Sequence, residues 1–184
     1  TARPARPKRS VWPLVAGLAG LAVAAAVAIV FAVHTGGGKG GGGSAIALEA
    51  VGTYDPPPGD RREHDEEAPL ATDGDPATAW RTETYHAALS VIGKEGVGLV
   101  LDAGAAVAPK QLVVSTDTPG YTAQVLAGDA ATGPFQAASQ PEVLAARTAL
   151  RLDTQAGRAK HRYYVVWITK LAGDLAHVNE VTAG

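Results

Sequence analysis

One uncharged stretch constrains this chain more than any other feature. Residues 11–33 contain no Asp, Glu, Lys, Arg, Asn or Gln. As a helix rising about 1.5 Å per residue, the stretch would be roughly 35 Å long, enough to cross the hydrocarbon core of a bilayer. Four cations precede it within residues 1–10, and a glycine-rich stretch follows at 34–44. The pattern predicts a basic stub, one transmembrane helix, a flexible linker and a domain at 45–184.

The cations before the apolar stretch indicate its orientation. Because segments rich in Lys and Arg stay in the cytoplasm, we expect the N-terminal side there and residues 45–184 outside the cell membrane. A cleaved signal peptide is the alternative, since it also combines a basic start with an apolar run. The run is about twice the usual length for a signal peptide, and no clear small-residue cleavage site precedes the glycines. These observations favour a single-pass membrane anchor.

Small residues recur at every fourth position of the predicted membrane helix. They are Ala16, Gly20, Ala24, Ala28 and Ala32. A stripe of this kind lets two helices approach closely, which predicts a homodimer formed through the membrane segment. The abundance of alanine in this stretch is the alternative explanation, because it produces the same spacing by chance.

Charge and cysteine content exclude several classes of function. All 18 Asp and Glu follow the linker, with only 11 of the 16 Lys and Arg, so residues 45–184 carry a net charge of about −7. This charge argues against a nucleic-acid partner, which requires a basic surface. The chain contains no cysteine, which excludes disulfides, thiol catalysis and zinc–thiolate sites. A domain of this size can fold on its apolar core alone.

Beyond the linker, short runs of alternating apolar and polar residues predict strands, and no helical period is sustained. Eight strands are predicted, at 46–54, 79–84, 98–102, 111–115, 122–127, 148–153, 163–169 and 177–181. Glycine- and proline-rich turns separate them. The pattern predicts an all-β protein domain, an eight-stranded jelly-roll β-sandwich. The single helix candidate in this part is 141–147.

The densest motif lies in residues 70–82. Asp73 and Asp75 flank a glycine, and Pro76 restricts Asp75 to an extended backbone. Such a loop can supply the carboxylate and carbonyl oxygens that Ca²⁺ prefers. A hydrogen-bonded turn, in which Asp73 and Thr78 contact only the loop backbone, explains the same residues. The residues alone leave both interpretations open.

The stretch 73–80 resembles the hallmark loop of the galactose-binding-like (discoidin, or F5/8 type C) β-sandwich family. The segments 96–102, 163–168 and 178–181 also fit that family, so the resemblance spans residues 45–184. It implies a β-sandwich that recognises a ligand through loops at one end, and a structural Ca²⁺. The implied calcium ligands are the Leu70 carbonyl, the Asp73 carboxylate, the Asp75 carbonyl, Thr78, the Asn179 carbonyl and the Glu180 carboxylate.

The order of segments resembles a second group of proteins. A basic stub, one membrane crossing, a Gly-rich linker and a single galactose-binding-like domain are similar to the C-terminal part of actinobacterial membrane-anchored serine/threonine protein kinases. Lipid II flippase-like (MurJ-type) proteins end in a related way. The resemblance implies an extracytoplasmic sensor that binds a glycan or cell-wall component and is attached to a cytoplasmic kinase. The alternative is a structural protein–protein interaction module of the cell envelope, without a small ligand.

No catalytic residue is expected in this segment. The chain lacks the phosphate loop, catalytic loop and metal-binding motifs of a kinase. The charged residues at 60–67 are predicted to form a solvated face rather than a catalytic cluster. Together with Tyr85 and His86 they are expected to border the ligand surface, but the resemblance assigns no individual ligand-binding residue. His161 and His177 are predicted to be surface residues at strand edges.

Overall fold

The computed structural model of the protein describes residues 46–184. The predicted stub at 1–10, membrane helix at 11–33 and linker at 34–44 lie outside the described residues. Within 46–184, no helix is long and apolar enough to cross a membrane. The described residues belong to one compact unit and build their own hydrophobic core.

The described residues form strands with little helix. In chain order the elements are β1 (Glu49–Tyr54), a 3₁₀ helix (Asp65–Ala71), β2 (Trp80–Arg81), β3 (Val97–Val107), β4 (Gln111–Ser115), β5 (Thr122–Gly128), β6 (Gln136–Ala137), β7 (Glu142–Val143), β8 (Arg147–Arg151), α1 (Gln155–Arg158), β9 (His161–Lys170), β10 (His177–Val178) and β11 (Glu180–Ala183). The prediction of an all-β domain is therefore confirmed.

The strands form two main antiparallel sheets. The larger sheet has the order β1-β3-β9-β5-β6, with β7 also paired to β5, and the smaller sheet has the order β11-β4-β8. A two-residue pair joins β10 to β2. Side chains from both main sheets, including Leu112 and Val114 of β4 and Val166 and Ile168 of β9, are fully buried in one apolar cluster. The packed layers make a β-sandwich.

The larger sheet is also covered on its outer face. Val100, Val165 and Trp167 form a second buried cluster there, against which Tyr54 and Phe135 pack. Burial on both faces explains why β9 is an almost unbroken apolar run in the sequence. The Trp167 ring packs directly on Gly96 and Gly98. A Cβ would come within 2.5 Å of the ring at Gly96 and within 3.1 Å of it at Gly98, so glycine allows this close approach.

The predicted strands need three corrections. The predicted segment 111–115 is strand β4, with the same bounds. The number of strands differs: eleven occur among the described residues instead of eight, and four of them have only two residues. The predicted strand 177–181 is interrupted at Asn179, because β10 pairs with β2 while β11 pairs with β4. The predicted helix 141–147 is wrong. Within this segment, Glu142–Val143 form β7 and Arg147 begins β8. The backbone pairing of β7 with β5 overrides the local helical preference.

Candidate functional site

Residues 70–78, which overlap the stretch 73–80 that resembles the family's hallmark loop, form a tight turn held by their own side chains. We call residues 70–78 the hallmark loop from here on. The Asp73 carboxylate accepts the backbone N–H of Asp75 at 2.8 Å, and the Asp75 carboxylate accepts that of Ala77 at 2.9 Å. Gly74 has a φ of 82°, a left-handed conformation that suits glycine. The turn predicted from the sequence is therefore present.

The turn also gathers oxygen atoms around the Thr78 hydroxyl. Its Oγ1 lies 3.4 Å from the Leu70 carbonyl oxygen, 3.1 and 2.9 Å from the two Asp73 carboxylate oxygens, and 2.9 Å from the Asp75 carbonyl oxygen. A hydroxyl has one proton and can donate to only one of these acceptors. The acceptors thus outnumber the donors at this point. Such a surplus of carbonyl and carboxylate oxygens fits the ligand set of Ca²⁺.

Glu180 joins the loop from the first residue of β11. Its Oε2 accepts the backbone N–H of Gly74 at 3.1 Å, although the two residues are 106 positions apart in the chain. Burial raises the pKa of Glu180, the Gly74 N–H opposes that shift, and the nearby charges of Asp73 and Asp75 raise it further. The rise in the pKa of Glu180 therefore reflects mainly the loss of water around its carboxylate, with a smaller contribution from the two neighbouring carboxylates.

Asn179 contacts the loop in a way that the sequence did not indicate. Its side-chain Nδ2 donates to the Pro76 carbonyl at 3.1 Å, and its Oδ1 accepts the backbone N–H of Asp117 at 2.9 Å. The resemblance implied a role for its backbone carbonyl instead. The side chain holds the hallmark loop against the turn that follows β4, at the break between β10 and β11.

A second polar cluster, which we call the lysine cluster, consists of Asp55, Glu63, Tyr85 and Lys94. The Lys94 ammonium lies 2.8 Å from Asp55 Oδ1, 3.3 Å from Glu63 Oε1 and 2.6 Å from the Tyr85 hydroxyl. The Tyr85 hydroxyl donates in turn to Glu63 Oε1. The Lys94 ammonium therefore donates hydrogen bonds to Tyr85 and Glu63 and forms an ion pair with Asp55.

Glu63 contradicts the expectation of a solvated face at 60–67, because it is completely buried. Its Oε2 accepts the backbone N–H of Glu83 at 2.7 Å, and its carbonyl accepts the Trp80 indole N–H at 2.6 Å. Burial raises the pKa of Glu63, while its bonds to Tyr85, Glu83 and Lys94 oppose the rise. Burial alone would lower the pKa of Lys94, but Asp55 and Glu63 outweigh it and raise that pKa.

A cleft of about 450 Å³ opens beside the lysine cluster. One wall is residues 85–90, between β2 and β3, and the other is residues 169–174, at the end of β9 and just after it. The register Val97↔Ile168 brings these two segments to the same end of the larger sheet. The Tyr85 backbone N–H donates to the Asp174 carbonyl at 2.6 Å and ties the walls together.

The cleft combines exposed polar groups with an apolar floor. His86 Nδ1 lies 3.8 Å from Asp174 Oδ2, and both side chains are largely exposed. Lys170 adds a cation, and the partly exposed Leu171 adds an apolar surface. Tyr85 and His86, expected beside the ligand surface, line this cleft, whereas residues 60–67 do not. His161 and His177 lie beside Asp129 and Asp117 and are partly exposed.

The sequence matches no family model and no curated protein, but solved structures resemble its fold. The family 32 carbohydrate-binding module of NanJ from Clostridium perfringens, solved with galactose, has 13% identity and a TM-score of 0.54, covering 76% of this chain and 97% of that chain. A second C. perfringens module of this type, solved with GalNAc-β-1,3-galactose, has 13% identity and a TM-score of 0.55, covering 76% and 99%.

A chitosan-binding module from Paenibacillus sp. IK-5 is also similar, with 9% identity and a TM-score of 0.56, covering 77% of this chain and 99% of that chain. The chain therefore shares the β-sandwich fold of these carbohydrate-binding modules. At these identities the likeness concerns the course of the backbone, so the side chains of the cleft must be judged by their own chemistry.

Proposed function

We propose that residues 45–184 are a non-catalytic recognition module that binds a glycan or cell-wall component in the cleft. The supporting observation is the set of exposed donors and acceptors that His86, Lys170 and Asp174 present around an apolar floor. Sugars need this combination, because their hydroxyls require hydrogen-bond partners while their C–H faces pack on apolar surface. The carbohydrate-binding modules that share the fold make this class of ligand the first to test.

We further propose that Ca²⁺ binds the hallmark loop and plays a structural role. It would be held by the Leu70 and Asp75 carbonyls, the Asp73 and Glu180 carboxylates and the Thr78 hydroxyl, with the Asn179 carbonyl as the sixth ligand implied by the family resemblance. The ion would neutralise the two carboxylates and tie the loop to the start of β11. The oxygens that surround the Thr78 hydroxyl support this assignment.

The cellular setting is proposed from the sequence. The apolar stretch 11–33 would anchor the module at the cell membrane with its N-terminal side in the cytoplasm. The segment order supports attachment to a serine/threonine kinase or a MurJ-type protein, and the small-residue stripe supports pairing of two membrane helices. Protease added to wall-stripped cells should digest residues 45–184 and spare an N-terminal tag. Loss of the tag with protection of the domain would reverse the orientation.

The binding test uses residues 45–184, which contain their own core. A glycan array should return a sugar hit, and titration of that hit should show weaker binding for His86→Ala and for Asp174→Asn. Loss of one charge-assisted hydrogen bond is worth about tenfold in affinity. The matched control is His161→Ala, since His161 also lies beside an aspartate but at the other end of β9. Equal weakening by all three variants would contradict the cleft as the site.

A structural interaction module is the second candidate, and one observation favours it. The turn beside the cleft exposes Val91 by 77% and Ile92 by 44%. Exposed aliphatic pairs at a loop tip suit contact with another protein. An array without hits, together with a specific envelope-protein partner lost in Val91→Ser, would support this candidate over glycan binding.

A further inference from the structure

A second pocket, separate from the cleft, lies beside the end of β1. It has a volume of about 480 Å³ and lies between Tyr54, Pro56 and Pro57 on one side and Ala131 and Thr132 on the other, with Arg61 at its edge. We call it the proline pocket. None of its lining residues belongs to the cleft or to the hallmark loop.

The apolar wall of the proline pocket is rigid. The Tyr54 ring packs edge-on against Phe135 at a centroid distance of 4.9 Å and lies 5.4 Å from Trp167. Trp167 is itself buried in the second apolar cluster. A tyrosine held in this way, next to two prolines, offers a preformed apolar surface that suits the C–H face of a sugar ring.

Arg61 is held at the pocket by a built turn. Its φ of 70° is left-handed, which is uncommon for a residue other than glycine. The Asp55 carboxylate stabilises this conformation by accepting the Arg61 backbone N–H at 3.1 Å. The turn leaves no room for a side chain at Gly59, since a Cβ there would collide with the Asp55 carboxylate. Strained backbone fixed by a buried group is typical of functional positions.

The guanidinium of Arg61 is available to an anion. Arg81 and Arg162 lie 3.0 and 2.8 Å from carboxylates, whereas no carboxylate among residues 46–184 lies within ion-pair distance of Arg61. Asp55 also lines the pocket, but its side chain is fully buried and paired with Lys94. The positive charge of Arg61 is therefore the accessible charge of this pocket.

From this geometry we propose that the proline pocket binds a sugar carrying a carboxylate. The ring packs on Tyr54 and the prolines, and the carboxylate accepts two parallel N–H bonds from Arg61, since the planar guanidinium matches a carboxylate. Thr132 supplies a hydroxyl to the sugar from the opposite wall. This site goes beyond the glycan binding proposed for the cleft and does not depend on it.

The test titrates residues 45–184 with digalacturonic acid and with the matching neutral disaccharide of galactose. Wild type should prefer the acidic sugar by about tenfold or more, because charge-assisted hydrogen bonds add to the contact with the ring. Arg61→Asn should remove the preference, since asparagine tolerates the left-handed backbone but lacks the cation. Arg62→Asn is the matched control, because the adjacent Arg62 does not line the pocket, and it should bind as wild type does.

Backbone amide chemical shifts locate the ligand and keep the test independent of variant stability. The acidic sugar should perturb the backbone amides of Ala131 and Thr132 in wild type. Perturbation confined to residues 85–90, or retention of the acidic preference by Arg61→Asn, would overturn the inference. So would an absence of binding by wild type, whatever the glycan array reports for the cleft.

Discussion

The hallmark loop and the lysine cluster both gather carboxylates, but only the lysine cluster has a cation of the described residues beside them. In the lysine cluster, Lys94 lies against Asp55, Glu63 and Tyr85, so the polypeptide supplies the positive charge itself. At the hallmark loop, no Lys or Arg within residues 46–184 pairs with Asp73 or Glu180.

The difference shows two ways of stabilising negative charge that folding brings together. In the lysine cluster, the buried ammonium of Lys94 balances buried carboxylates of the same chain. The ammonium and the carboxylates all lose their hydration in the process. If the oxygen-rich hallmark loop binds an ion, as we propose, its stability depends on the ion concentration of the solution. The predictions below separate these two cases, from the largest expected effect to the smallest.

Removal of the internal cation should have the largest effect. Lys94→Met leaves Asp55 and Glu63 buried without a cation, and breaking one side of a buried ion pair costs about 3–5 kcal/mol. Denaturant unfolding of residues 45–184 measures the loss. The control is Lys160→Met, at an exposed lysine for which the described residues provide no ion-pair partner. Similar unfolding midpoints for both variants would mean that Lys94 does not stabilise the cluster.

Calcium should affect the hallmark loop and leave the lysine cluster unchanged. An ion that binds only the folded state stabilises it by about 2.7 kcal/mol at one hundred times its Kd. Residues 45–184 should therefore melt several degrees higher in excess Ca²⁺ than in chelator. Asp73→Ala or Glu180→Ala should remove this difference, and the second change should add little to the first.

Two controls sharpen the calcium experiment. Asp65→Ala removes an acidic residue of the 3₁₀ helix and should leave the calcium response intact. Lys94→Met should lower the melting temperature but keep the same response, because its cluster has its own cation. If Ca²⁺ shifts none of these melting temperatures, the hallmark loop is only a hydrogen-bonded turn.

The smallest effect on stability is expected at the exposed ion pair of Arg162 and Asp102. Water hydrates both charges there and replaces much of the stabilisation that the ion pair provides. Arg162 Nε and Nη2 donate to the Asp102 carboxylate at 2.9 and 2.8 Å. These bonds lower the pKa of Asp102, so its contribution is present above its ordinary pKa and lost as pH falls through the lowered value. Because Arg162 is half exposed, Arg162→Gln should lower the free energy of unfolding only slightly near neutral pH.

Unfolding measured from neutral pH into acid tests this sign. The difference between wild type and Arg162→Gln should vanish in strong acid, where Asp102 is protonated in both. Arg158→Gln, at an exposed position of α1, should match wild type throughout. A difference that persists in acid would indicate that the arginine acts through packing rather than charge.

Local patterns accounted for much of the fold and for part of the site. Strand β4 was predictable because residues 111–115 include two adjacent valines, which favour an extended backbone. The turn around Asp73 was predictable because its bonds join residues two positions apart. The family resemblance also pointed to Glu180, whose contact with Gly74 the structure contains. Calcium at this loop stays a prediction.

The sequence placed Tyr85 and His86 beside a ligand surface, but it gave no comparable signal for the lysine cluster or the proline pocket. Glu63 is buried and Glu66 is exposed, although both stand in the same charged segment and nothing in their neighbours distinguishes them. Lys94 and Asp55 are ordinary charged residues in loops. Arg61 and Arg62 are adjacent and chemically identical, yet only Arg61 lines the proline pocket. Sequence patterns assign such residues to solvent because most charged residues lie there.

The sequence by itself determined the all-β class, the glycine- and proline-rich turns and the oxygen content of the hallmark loop. These properties depend on residues a few positions apart, which local backbone geometry brings together in any context. Only the tertiary structure decided that Lys94 meets Glu63, 31 positions away, and that the chain changes sheets at Asn179. Burial of a charge depends on which distant groups surround it after folding, and that information is not carried by any short segment.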